Sequence, residues 1–374
     1  MTGRFRAAPK AAAHLLAAGA LAATLGTTLG ASPALSEAPT VLVSIKPIHA
    51  LVSGVMEGVG KPDLLLEGAA SPHSYSLRPS QARALTQADL IFWVGGGLEP
   101  FLEGPLQTLG ADARRVALIE AAGVEVLPFR EGGAFEAHAH AHGNGQDHGD
   151  KHAQDHGHDH DHDHDHGDEH DNDHDHGHSD EHDHGHDDAH AHDEEHGHDH
   201  SGGDPHIWLD PTNAQAIVRA VADALAAVDP PNAARYRENA AAAVASLDAL
   251  DAELSDRLAP AVDKPFIVFH DAYRYLEERY GLTAAGAITV NPEVAPGAAR
   301  VAEMRETVAR LGAVCLFAEP QFEPRIVAVV AEGTEARTGV LDPLGAEIPA
   351  GPGHYAALMR AMARSFTDCL APSG

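Results

Sequence analysis

Short runs of β-branched and aliphatic residues alternate along this chain with stretches in which apolar residues recur every three or four positions. The runs at 41–45, 63–66, 90–94 and 116–119 predict strands. The stretches at 47–59, 79–88 and 100–109 predict helices, each with a proline near its first turn, where the missing N–H is harmless. A second series predicts strands at 266–269, 285–289, 314–317 and 339–341, a helical face of Met304, Val308 and Leu311, and a closing helix at 354–369. Alternation of this kind predicts an α/β fold of parallel sheets covered by helices. A helix at 212–228, with Thr212 or Asn213 as its cap, precedes the longest unbroken helical pattern, 232–258. There Val244, Leu247, Leu250, Leu254 and Leu258 lie three or four apart, and Pro230, Pro231 and Pro260 bracket the run. At 1.5 Å per residue it would span roughly 40 Å, which favours a rigid connector between two lobes over an ordinary surface helix.

Two stretches break the pattern. The first begins with Arg4, Arg6 and Lys10, continues through an Ala/Leu/Gly-rich segment at 11–30 and reaches small residues at Ser32, Ala34 and Ser36. A cleaved secretory signal over 1–36 fits this better than a membrane anchor, because the apolar segment carries His14 and many weakly apolar Ala, Gly and Thr. An exported chain in an oxidising compartment such as a bacterial periplasm follows. The second stretch, 138–200, holds 23 of the chain's 29 histidines, 21 Asp or Glu, one Lys and no apolar residue larger than Ala. Such a segment buries too little apolar surface to offset the entropy of ordering, so it is expected to be disordered when free. Glu131, Gly132 and Gly133 before it and Ser201, Gly202 and Gly203 after it read as flexible hinges, making 131–203 an insert within a domain.

Composition adjusts this picture at two points. Without the leader and the His-rich run, somewhat fewer than 280 residues remain, enough for two domains. Of the formal charge of −31, the His-rich run supplies −20 through its 21 acids and one Lys, which leaves −11 for the body. No basic face is offered, which argues against a nucleic-acid partner. Cys315 and Cys369 are the only cysteines, and an even count in an exported chain favours one disulfide over two buried thiols. Closing that loop would stabilise the fold by about 4 kcal/mol on the chain-entropy model.

The candidate chemistry is metal binding. Imidazole and carboxylate are zinc's usual nitrogen and oxygen ligands, and the insert offers His138, His140, His142, His158, His160, His162, His164, His166, His174, His176, His182, His184, His196, His198 and His200 as an auxiliary set. Outside it and the leader stand only His49, His73, His206, His270 and His354. His73 follows the strand ending near Leu66, His270 follows 266–269, and His206 lies in a Pro-bounded turn. In open α/β sheets that edge, outside the carboxyl ends of the strands, is where ligands bind, although a lone histidine there is more often a surface or packing residue. Asp342 closes the last strand and could add a carboxylate. Three imidazoles and one carboxylate suit tetrahedral zinc, whereas manganese or calcium would favour more oxygen donors. His49 and His354 fall within helical patterns and are assigned to packing or surface.

The segments Ser71-Pro72-His73-Ser74-Tyr75-Ser76-Leu77-Arg78-Pro79-Ser80, Asp204-Pro205-His206-Ile207-Trp208-Leu209 and Phe269-His270-Asp271-Ala272-Tyr273 together resemble the zinc-binding, ZnuA-like component of bacterial ABC importers. The resemblance extends to Phe317-Ala318-Glu319-Pro320-Gln321-Phe322, to Leu341-Asp342-Pro343-Leu344-Gly345 and to the two cysteines. It implies a signal peptide (1–36), an N-terminal βα lobe (37–231) carrying the insert, a linker helix (232–259) and a C-terminal βα lobe (260–374). Zinc would be held in the cleft between the lobes by His73, His206 and His270, with Asp342 or a water completing the set. Some relatives place an acidic ligand just before the first histidine, and here that position is Pro72. The resemblance further implies a periplasmic monomer that delivers zinc to a membrane permease, with small lobe shifts rather than wide hinge opening at release. A manganese or nickel carrier of the same fold remains an alternative. An exported zinc hydrolase is disfavoured, since the chain has no His-Glu-x-x-His stretch and no general base beside a ligand. Protonation would move the insert from −20 toward +3, so metal capture by the isolated insert is expected to weaken from pH 7.5 to 5.5, as proton competition in a zinc titration would report.

Overall fold

The computed structural model describes residues 38–130, 135, 203–289, 292, 296–323 and 325–372. The leader 1–36 and the auxiliary histidines between His138 and His200 lie outside the described residues. Strand β1 (Val41–Val43), helix α1 (Lys46–Val55), β2 (Asp63–Leu64), α2 (Pro79–Gln87), β3 (Leu90–Trp93), α3 (Pro100–Thr108) and β4 (Arg114–Ala117) build the first lobe around a parallel sheet of order β2-β1-β3-β4. After α4 (Pro211–Val228) and α5 (Ala233–Leu258) comes the second lobe. It consists of β5 (Phe266–His270), α6 (Arg274–Tyr280), β6 (Ala284–Thr289), α7 (Ala298–Leu311), β7 (Cys315–Ala318), α8 (Arg325–Ala331), β8 (Arg337–Val340) and α9 (His354–Leu370), with sheet order β6-β5-β7-β8. Both sheets therefore reverse strand order between their first and third strands, which places a switch point at β1/β3 in one lobe and at β5/β7 in the other.

Local chemistry sets the element ends. Helix α4 starts one residue earlier than the Thr/Asn cap expected at 212–213: Asp210 is the cap, its carboxylate accepting from the Thr212 backbone N–H at 2.7 Å, and Pro211 takes the first helical position. Helices α6 and α7 end at Gly281 and Gly312, whose φ values of 66° and 60° are the left-handed conformation that glycine adopts without a Cβ clash. Of the four edge strands, β4 and β8 lie about two residues earlier than their apolar runs suggest, because each begins with polar residues, Arg114-Arg115 and Arg337-Thr338. Charge at a sheet edge discourages pairing with another chain, so an apolar-run criterion places such strands late.

Tyr236, Ala240, Leu247, Leu250, Leu254 and Leu258 form the buried stripe of α5, which packs on α4 and α1 and reaches α6 and α9 of the second lobe. One apolar core consequently runs from β1 and β3 through α1, α4 and α5 into α9 and the inner face of the second sheet. A smaller cluster, with Ile267, Phe269, Ile288, Met304 and Leu316, covers that sheet's outer face. Side chains alternate along a strand, so Phe266 and Val268 face the main core, Ile267 and Phe269 face outward, and His270 returns to the inner side. Cys315 at the start of β7 is disulfide-bonded to Cys369 near the end of α9. Polar contacts cross between the lobes as well. Lys46 Nζ donates to Ala346 O at 2.6 Å, Trp208 Nε1 to Pro343 O at 2.9 Å, and Tyr355 Oη to Trp208 O at 2.8 Å.

Candidate metal centre

Two loops and a strand end deliver one imidazole each to a single pocket. His73 comes from the loop between β2 and α2. His206 caps the short 3-10 turn Ile207–Leu209, and His270 is the last residue of β5, beside that sheet's switch point. One ring nitrogen from each lies within 4.8 Å of the others, and the ring centroids are 5.2 to 5.8 Å apart. His206 and His270 are buried, whereas His73 is half-buried.

Two buried carboxylates fix the tautomers. His206 Nδ1 lies 2.7 Å from Asp204 Oδ1, and His270 Nδ1 lies 2.6 Å from Glu319 Oε1. A carboxylate accepts, so each Nδ1 carries the proton and each Nε2 presents its lone pair. The two Nε2 atoms face one another at 3.3 Å. Two bare lone pairs at that distance repel, and only a cation or a shared proton makes the arrangement favourable. Nitrogens about 2.0–2.1 Å from a tetrahedral zinc would stand about 3.3 Å apart, so the spacing suits zinc as well as a shared proton. Burial and neighbouring imidazoles hold His73 and His206 well below the ordinary histidine value, while burial of His270 is outweighed by Glu319, Asp271 and Asp204 together, which raise it. Burial pushes the Asp204 carboxyl up to about 7, against the opposing pull of the His206 backbone N–H, His270, Arg130 and Arg274.

Asp342, expected as a fourth ligand, is not in the three-histidine cluster. Its Oδ1 accepts from Gln321 Nε2 and from the backbone N–H groups of Leu344 and Gly345, and its Oδ2 accepts from Ala346 N–H at 2.6 Å. A carboxylate at the end of a strand has an unpaired loop of amides beside it, and this one closes the 342–346 turn. His49 and His354 are packing residues: His49 Nε2 lies 3.1 Å from Pro62 O, and His354 Nε2 lies 3.0 Å from Leu344 O. Asp204, Glu319 and Gln321 were not singled out from the sequence. For Asp204, the Asp-Pro-His spacing was a usable signal, since two residues bring a carboxylate back onto the following imidazole. Glu319 meets His270 only because β7 lies next to β5.

The chain also ties the residues flanking the insert to the second lobe. Tyr275 Oη donates to Asp204 O at 2.7 Å and accepts from Leu127 N–H at 3.1 Å, and the Arg130 guanidinium bridges Asp271 and Glu277. His206 and His270 are therefore held from behind by one hydrogen-bonded wall.

The family model for the periplasmic zinc-uptake complex component A, ZnuA, matches residues 41–369, from the first strand to the last turn of α9. The chain belongs to the ZnuA family. Among ZnuA relatives, the high-affinity zinc uptake system protein ZnuA of Brucella abortus strain 2308 is 50% identical over 355 residues, which cover 95% of this chain and 97% of that protein. The protein of the same description from Paracoccus denitrificans strain Pd 1222 is 46% identical over 351 residues, covering 94% and 97%. A crystal structure of ZnuA superposes with a TM-score of 0.64 at 22% identity, covering 89% of this chain and all of the other, which shows the shared fold. The match to the ZnuA family takes in both sheets and all three histidines of the cluster.

Proposed function

We propose that this chain captures zinc in the periplasm and hands it to the permease of an ABC importer, with His73, His206 and His270 as the protein ligands. The observation that carries this reading is the 3.3 Å approach of two Nε2 lone pairs, each backed by a buried carboxylate. Asp204 and Glu319 bring two carboxylates to two of the ligands, which matches a dication in a site of low dielectric. An all-nitrogen donor set from the protein suits zinc better than manganese, and competition between the metals would separate them. The same carboxylates argue against hydrolysis, because each is engaged in holding an imidazole and neither serves as a free general base. Cleavage of the 1–36 leader and a monomeric working state complete the reading.

Within it, the 138–200 run collects metal and the histidine cluster holds it. Isothermal titration of a variant lacking residues 138–200 should retain one tight zinc site and lose the weaker ones. Loss of the tight site along with the insert would transfer the primary role to the insert and end this assignment.

A further inference from the structure

Zinc held by three imidazoles needs a fourth donor, and among the described residues the positions suggested by the sequence are otherwise engaged. Pro72 occupies the position before His73, and both oxygens of Asp342 accept hydrogen bonds from the 342–346 turn and Gln321. Glu319 and Gln321 both border the pocket beside the three histidines. The orientation of Gln321 is determined. The Nε2 donates to Asp342 Oδ1 at 2.7 Å, and an ionised carboxylate can only accept, so the amide cannot be flipped without facing oxygen toward oxygen. The amide oxygen is thereby directed away from Asp342. Gln321 Oε1 is buried and has no hydrogen-bond partner among the described residues. Buried amide oxygens are rarely left so, because desolvating one without a partner is unfavourable. Glu319 is the carboxylate of the pocket: its Oε1 meets His270 Nδ1, and its Oε2 is likewise buried with no hydrogen-bond partner among the described residues.

Building on the assignment of the three histidines as zinc ligands, we propose that Gln321 Oε1 accepts a hydrogen bond from a water that completes the zinc tetrahedron, and that Asp342 acts by aiming Gln321. Asp342 is then a positioning residue one step removed from the metal, although the sequence suggested a ligand. The choice of an amide has a chemical consequence. A zinc-bound water is acidic and becomes a nucleophile when a neighbouring base removes its proton. An amide oxygen accepts the hydrogen bond without taking the proton, so the water stays a neutral, exchangeable ligand. That suits a carrier, which must release zinc by simple displacement of that water and must not hydrolyse what enters the pocket.

The test uses the full-length protein loaded with one equivalent of Co2+ for spectroscopy or of Zn2+ for dissociation into excess chelator. Cobalt in the wild-type site should give the intense visible bands of four-coordination, and azide should shift them by replacing the water. Gln321→Met, which keeps the volume and removes the acceptor, should release zinc about tenfold faster, the size expected for losing a hydrogen bond made to a polarised partner. It should also move the cobalt bands at unchanged thermal stability. Asp342→Asn should do the same in part, because an asparagine can present a donor to Gln321 and let it turn. Gln321→Glu should supply a carboxylate ligand, slow zinc release and abolish the azide response; it also serves if Gln321→Met does not fold. An azide-insensitive wild-type spectrum would mean that the fourth donor is a protein group, and unchanged release and bands in Gln321→Met would mean that Gln321 is structural. Either result overturns the proposal while leaving the three-histidine site intact. Full zinc binding by His206→Ala would instead remove the assignment on which it rests.

Discussion

Replacing His270 by alanine is expected to lower zinc affinity at the tight site by roughly a thousandfold. Zinc held by nitrogen and sulfur ligands is typically worth about 10–16 kcal/mol near neutral pH, so one ligand in three or four accounts for about 4 kcal/mol. His270 should lie at the upper end, because its loss also leaves Glu319, 3% exposed, without the imidazole it binds. Glu319→Gln should cost less, about 10- to 100-fold, as is usual when a ligand loses its orienting partner. Competition against a chromophoric chelator, in full-length protein given one equivalent of zinc, measures both. Equal losses for the two variants would mean that Glu319 binds the metal itself. No loss for His270→Ala would remove the histidine from the site.

Glu99→Gln is expected to abolish a pH dependence of stability worth about 3 kcal/mol. Glu99 is fully buried beneath the β3–α3 loop, where its Oε2 accepts from the Val94 and Gly95 backbone N–H groups at 2.8 and 3.0 Å. Burial pushes its carboxyl up to about 7, against the opposing pull of Ser44 and these amides. The folded pKa thus stands above the unfolded value of 4.5. Between those two values the folded protein keeps a proton that the unfolded chain gives up, so its stability falls as pH rises. Each unit contributes up to about 1.4 kcal/mol, and the contribution, complete below the unfolded value, is lost by about pH 8. Glutamine carries no such titration and still accepts from both amides. Urea unfolding of the zinc-free proteins across this range should show the wild type losing ground to Glu99→Gln as pH increases. A constant difference between the two curves would show that Glu99 ionises normally.

The fold was legible in the sequence because its strongest signals are local. The proline-headed helices α2 and α3, the stripe along α5 and the apolar runs of β1, β3, β5 and β7 all state their identity within a few residues. The edge strands β4 and β8 were displaced because their polar openings suit a sheet border rather than a core. At the site, His73 and His270 could be found from their place after strands. Nothing in sequence distance reveals that β7 neighbours β5, so Glu319 stood unassigned although it sat in a recognised segment. Asp342 is open in the sequence for the same reason. A carboxylate after a strand can meet a metal, a helix or its own backbone, and here it accepts from the amides of the 342–346 turn and from Gln321.

The disulfide joins Cys315 to Cys369, and Cys315 lies four residues before Glu319 and six before Gln321. The strand that aims both residues at the pocket is thus covalently moored to α9, a helix embedded in the core common to the two lobes. Reduction of the bond is therefore expected to free the strand end that carries both residues without touching any histidine. Zinc affinity of the reduced protein, measured by competition with a chelator, should fall while its three imidazoles remain in place.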